Sequence, residues 1–263
     1  MSPSCTLLSP ALPSELLSYV LDHHAHPTTL IICSPRSDFL ASLAEEVGIH
    51  GVASNPDLDE REDEPPAEEE KEEEEEQAKS GDRVRHRLLS SPLHQVAVSR
   101  HIRTVYLPTA THLRAYLSVF SPGDSEVAPP PARFAAKLTM RPHLVLYGFL
   151  DLHRDTSEWS AQGLGNSAAA LVELGNRLAW DVAVIEPRRP DSGGGLLRGM
   201  LSEPVPILSS GGRRVGLDSE EGGWSGRRVQ VGRVLMRWFR FRRGLWDVDV
   251  DEKQDVAMKD RPA

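Results

Sequence analysis

Along this chain, short runs of aliphatic residues alternate with stretches in which apolar side chains recur every three or four positions. Residues 30–33 (Leu-Ile-Ile-Cys), 104–107, 144–150 and 182–185 are long enough for buried strands and too short for buried helices. Phe39, Leu40, Leu43 and Val47 follow the first run at helical spacing, and Leu113, Tyr116, Leu117 and Phe120 follow the second. Leu164, Ala168, Leu171, Leu174 and Leu178 form one stripe over residues 160–179, between the third run and the fourth. Such alternation predicts an α/β domain with a mostly parallel sheet flanked by helices. Residues 144–150 are the most apolar run, as expected of a central strand. Residues 13–22 read as an amphipathic helix, and residues 229–241 are expected to contain a fifth strand. Ser34 and Pro35 suit an N-cap and a first helical position.

Charge divides the chain. Its 263 residues carry 39 acids and 30 bases, a net of −9, but 14 of those acids lie between Asp57 and Glu76 beside only Arg61 and Lys71. The remainder, with 25 acids and 28 bases, is mildly basic. Residues 54–82 carry too little apolar surface to offset chain entropy and read as a disordered acidic insert. The expected organisation follows from these breaks. Residues 1–53 supply a helix and the first strand–helix unit, and 83–187 the rest of the core. Residues 188–226 form a flexible Gly/Pro-rich loop in which 205–208 pack locally, 227–243 a basic strand, and 244–263 a loose tail. No apolar run approaches the ~20 residues of a spanning helix, and residues 1–10 lack a basic-then-apolar leader. Two cysteines, Cys5 and Cys33, give neither a disulfide framework nor a zinc ribbon. The expectation is a soluble intracellular protein with no membrane contact.

Ligands of parallel sheets sit beyond the C-terminal strand ends, which directs attention to residues 34–36, 108–111, 151–158 and 186–189. A phosphate cradle needs a glycine-rich turn with a lysine. The turn 33–38 (Cys-Ser-Pro-Arg-Ser-Asp) has neither, although Arg36 near a helix start would attract an anion. Asp151, His153, Asp155 and Glu158 would suit an acid/base or metal site; the plainer reading is a polar loop with helix-capping residues. His23, His24 and His26 read as the solvated end of the first helix. Gly163 and Gly165 do not follow a strand directly, so they make no dinucleotide fingerprint. No metal site and no cofactor are expected.

The strongest chemical feature is basic. Residues 227–243 hold Arg227, Arg228, Arg233, Arg237, Arg240, Arg242 and Arg243 with no acid, interleaved with Trp238, Phe239 and Phe241. The loop before them adds Arg188, Arg189, Arg198, Arg213 and Arg214. Arginine beside aromatics suits phosphate contact and base stacking. The competing reading is an edge strand blunted by charge.

The order of features resembles the second half of a RecA-like recombinase core. The match is carried by residues 144–148 (Leu-Val-Leu-Tyr-Gly), the polar stretch 156–165, the long helix and residues 181–187 (Asp-Val-Ala-Val-Ile-Glu-Pro). By that resemblance 192–223 takes the place of the DNA-binding loop and 229–241 that of the basic strand behind it. The departures are specific. The Walker A lysine and threonine have no counterpart in the turn that holds Ser34 and Arg36, Gly148 stands at the Walker B acid with Asp151 three positions on, and Glu186-Pro187 stands where the family has a polar sensor. The chain thus resembles the degenerate recombinase paralogues of Shu-type complexes. That implies a non-catalytic pseudo-ATPase assisting homologous recombination and DNA repair in the nucleus. Its implied partners are another RecA-like paralogue or a SWIM-domain protein, with single-stranded or duplex DNA at the arginines. The RecA-like accessory subunits of Elongator, which serve tRNA modification and would place the chain in the cytoplasm, are the alternative. An enzyme using Asp151, His153 and Glu158 is the third reading.

Overall fold

The computed structural model describes residues 3–23, 25–48, 87–90, 93–124, 127–129, 131, 141–188, 196–208 and 227–247. The acidic insert 54–82 and Arg189, Arg213 and Arg214 lie outside them. A six-stranded, all-parallel sheet forms the centre. Its strands are β1 (Cys5–Leu8), β2 (Thr28–Ile32), β3 (Ile102–Tyr106), β4 (His143–Tyr147), β5 (Asp181–Ile185) and β8 (Arg240–Arg242), in the order β3-β2-β4-β5-β1-β8. This order is neither the 3-2-1-4-5-6 of dinucleotide-binding sheets nor the 2-1-3-4-5 of flavodoxin-like ones.

Period-two alternation splits the strand side chains between two cores. Leu7, Ile31, Leu144, Leu146, Val182 and Val184 face one; Leu8, Leu30, Ile32, Val145, Tyr147, Ala183 and Ile185 face the other. Helices α1 (Pro13–Asp22) and α2 (Arg36–Glu46) cover the second core with Leu16, Val20 and Phe39, and α3 (Leu93–Ser99) lies beside α1. Helices α4 (Ala110–Val119) and α6 (Ala161–Leu178) cover the first, joined by α8 (Val231–Leu235). Connections that step toward β3 thus lie on one face and those that step back lie on the other, as uniform crossover handedness requires. Both faces being covered, β4 and β5 read as continuous apolar runs, and β4 is central, as its composition predicts.

Four expectations need correction. Residues 5–8, a strand hidden in a Ser/Pro-rich N-terminus, pair with both β5 and β8, so the first strand–turn–helix is 5–22 and not 30–47. The run 144–150 is not all strand. Gly148 (φ +87°) turns the chain into the left-handed region, and Phe149 and Leu150 open the short helix α5 (Phe149–His153). Pro35 occupies the N-cap of α2 rather than its first turn. Finally, 227–243 is not one strand. It divides into β7 (Arg228–Gln230), α8 and β8, with β7 pairing antiparallel to β6 (Pro204–Pro206) in a separate ribbon.

Within the expected loop 188–226, the described residues hold α7 (Leu196–Ser202) and β6, with Val205 fully buried. The tail begins packed: Trp246 donates its indole N–H to the Pro10 carbonyl at 3.0 Å and meets Tyr19 edge-on. No helix among the described residues is long and apolar enough to cross a membrane.

Candidate nucleic-acid interface

In an open parallel sheet the crevice forms where neighbouring strands lead in opposite directions. Two such points occur: one between β2, which leads to β3, and β4, which leads to β5, and one between β5, which leads on to β8, and β1, which leads to β2. At the first, buried side chains of the strand ends pack together. A Cβ on Gly148 would stand 3.5 Å from that of buried Cys33, whose N–H donates to the Tyr147 carbonyl. The Tyr147 hydroxyl donates to the Ala11 carbonyl at 2.9 Å, and its ring meets Phe39 edge-on. Burial first, then the neighbouring Glu186, raises the Cys33 thiol well above its ordinary range.

Glu186 is the unusual group on this rim. It follows β5, is 2% exposed, and accepts the Leu150 N–H on Oε1 at 2.9 Å. Oε2 is buried with no hydrogen-bond partner among the described residues. Burial pushes its carboxyl up to about 8, so the side chain is neutral at pH 7.

The turn after β1 is the topological place for a phosphate cradle, and its donors are already answered. Ser9 N–H donates to the Arg242 carbonyl and Ala11 N–H to the Glu186 carbonyl. Pro10 and Pro13 have no N–H. Leu12 N–H is taken by the Glu15 carboxylate at 2.8 Å and Ser14 N–H by the Glu46 carboxylate at 2.9 Å. Two carboxylates, one of them paired with Arg188, therefore take the free amide donors of this turn. Arg188, read in the sequence as a nucleic-acid contact, is held by Glu15 at 3.0 Å. Ser34 is half-buried and Arg36 exposed, at the start of α2.

Of the acids and histidine after β4, His153 and Glu158 meet through Ser167 and Arg114, whereas Asp151 pairs elsewhere. His153 is fully buried. Its Nδ1 donates to the Phe149 carbonyl at 2.7 Å, which leaves Nε2 to accept from the Ser167 hydroxyl at 2.9 Å. Burial holds its pKa below the ordinary histidine value. Ser167 Oγ in turn accepts from Arg114 Nε, whose guanidinium also holds Glu158 at 2.6 Å and keeps that carboxyl below its usual range. Asp151 faces Arg154 at 3.3 Å. Arg154 makes a two-pronged pair with Glu203, at 2.6 and 2.9 Å, and lies 4.8 Å over the Trp159 ring. Each of these side chains therefore has a structural task that ties α5, α6 and β6 together.

The basic residues separate into three places. Arg240 and Arg242 share one face of edge strand β8, while Phe241 between them packs on the first core. This matches the charge-blunted edge of the competing reading. Arg227 and Arg228 are exposed on the β6–β7 ribbon. Arg233 and Arg237 line a groove of 690 Å³ between α6 and the α8 turn, together with Trp238, Gln162, Gly165 and Asn166. Gln162 pins residue 208 against α6 by paired amide bonds to the Leu208 N–H and carbonyl, both 2.9 Å. The wall formed by α6 is a site that sequence reasoning missed. Its signal was there in Ala161, Gly165 and Ala169, small residues four apart on one helix face.

No protein-family model matches this chain, and no curated protein matches it either.

Proposed function

We propose that this chain is a RecA-like paralogue without a nucleotide site, serving in the nucleus as a non-catalytic assembly subunit in homologous recombination and DNA repair. Its DNA contact is the Arg-rich C-terminal segment, and its protein partner is another RecA-like chain or a SWIM-domain protein. One observation carries the reading: a run of seven arginines without an acid presents Arg233 and Arg237 along a single groove beside an accessible aromatic ring. Two others support it. Buried Cys33, Tyr147 and Glu186 stand at strand ends of the kind that hold nucleotides in parallel sheets, and the N–H groups of the first helix start are taken by two carboxylates.

The test is salt-dependent binding of a labelled single-stranded oligonucleotide by the full chain. Each phosphate contact to a single strand contributes ~0.7 to the slope of log affinity against log salt. Arg233→Glu with Arg237→Glu is expected to weaken binding and flatten that slope by about 1.4. An unaltered slope would assign these arginines to packing or to a protein partner. Affinity purification of the tagged chain from its native cells is expected to recover a RecA-like or SWIM-domain protein; recovery of Elongator subunits would move the same fold to tRNA modification.

A further inference from the structure

The groove between α6 and α8 has an unusual cross-section for a basic surface. Its floor is small and apolar, from Ala161, Gly165 and Ala169 on α6 and from Val229, Ile207 and Val234 opposite. Its rim is cationic and amide-bearing, and none of the described residues lining it is acidic. Among the described residues, nothing stands within 4 Å of where a Cβ on Gly165 would lie. Trp238 lines the groove while packing against the first core, which fixes the indole at little entropic cost. Hydrogen bonding continues past α8 through Met236 N–H to the Gly232 carbonyl. Arg233 and Arg237, four positions apart, both line this rim.

A volume of 690 Å³ lies within the ~300–1,000 Å³ of pockets that take a small organic molecule. That is room for one or two unstacked bases and not for a duplex, whose bases are turned inward and whose surface is convex. An apolar floor with an aromatic platform rewards a flat π-face, and the paired arginines reward the phosphates beside it.

We infer that this groove seats one or two bases of a single strand of nucleic acid, with Trp238 as the stacking platform and Arg233 and Arg237 on the flanking phosphates. The inference rests on the proposed nucleic-acid contact and adds to it the seat and the strandedness.

The test separates the seat from the charge. The full chain is titrated into a fluorescein-labelled oligothymidylate of about 15 nucleotides, within the ~4–16 of a typical single-strand site, and into a blunt hairpin duplex of equal phosphate count, with anisotropy as the readout. Gly165→Leu fills the floor, leaves every arginine in place and enters a helical position open to a side chain. Trp238→Leu removes the platform. Each is expected to weaken oligothymidylate binding about tenfold to a hundredfold while leaving the weaker duplex binding unchanged. Arg240→Gln with Arg242→Gln, outside the groove, is expected to lower both affinities alike. A thermal midpoint for Gly165→Leu at or above that of the parent shows that the variant folds. If both groove variants bind the oligothymidylate like the parent, or if the duplex binds as tightly as the single strand, the seat is refuted while the basic contact stands. If the parent binds neither probe at low salt, the seat and the proposed contact fail together.

Discussion

Replacing Glu186 by Gln isolates the energetic consequence of a carboxyl placed in the core. In the unfolded chain this group titrates near 4.5, and in the folded protein burial raises it to about 8. Between those values the native state holds a proton that the unfolded state has released, so this residue makes stability fall as pH rises. Each pH unit in the window costs ~1.4 kcal/mol. The loss is about 3 kcal/mol at pH 7 and approaches ~5 kcal/mol above pH 8. Gln keeps an oxygen for the Leu150 N–H and carries no charge, but it buries an amide donor at the position of Oε2, a pH-independent cost of ~1–3 kcal/mol. The expected result is a crossover. At pH 5 the parent is the more stable; at pH 8 Glu186→Gln is the more stable by about 1–3 kcal/mol. Urea denaturation of both proteins at pH 5, 6, 7 and 8 measures this. Burial lowers the pKa of His26, His143 and His153, which gives stability the opposite slope, but they are common to both proteins and cancel in the difference. A stability difference that stays constant from pH 5 to pH 8 would refute the neutral, buried carboxyl.

Two further predictions test how the elements are held. Gly175 lets α6 approach β5 so closely that an added Cβ would stand 2.6 Å from Val182 Cγ2, a stiff β-branched methyl in the sheet. Gly175→Ala is expected to lose ~1–3 kcal/mol to overpacking, outweighing the ~1 kcal/mol gained in helix propensity; a raised urea midpoint would count against this close approach. Arg154 joins Glu203 and Trp159 in a planar, two-pronged arrangement that a lysine cannot reproduce. Arg154→Lys is expected to cost about 2 kcal/mol, read by the same midpoint, and a lysine variant as stable as the parent would assign the pair no net role.

The sequence by itself determined the layers. Strand runs of four or five aliphatic residues and helices with an apolar stripe have intrinsic periods, 2 and 3.6, that survive without tertiary context. The runs around β2, β3, β4 and β5, and helices α1, α4 and α6, accordingly lie within a few residues of their expected places. Where periods are short or interrupted, neighbours decide. Residues 5–8 are a strand because β5 and β8 supply hydrogen bonds on both sides, a fact with no trace in a Ser/Pro-rich N-terminus. Phe149 and Leu150 are as apolar as any strand residue, but the left-handed turn at Gly148 hands them to a helix. The arginines of 227–243 were legible as a cluster, since composition alone reveals charge. Their division among a ribbon, a groove and a sheet edge was not, because pairing with β6, α6 and β1 assigns each its surface. The ionisation of Glu186 belongs wholly to the tertiary structure. Among the described carboxyls, that of Glu186 is raised to about 8 where the ends of β4 and β5 exclude the water that would hydrate its charge.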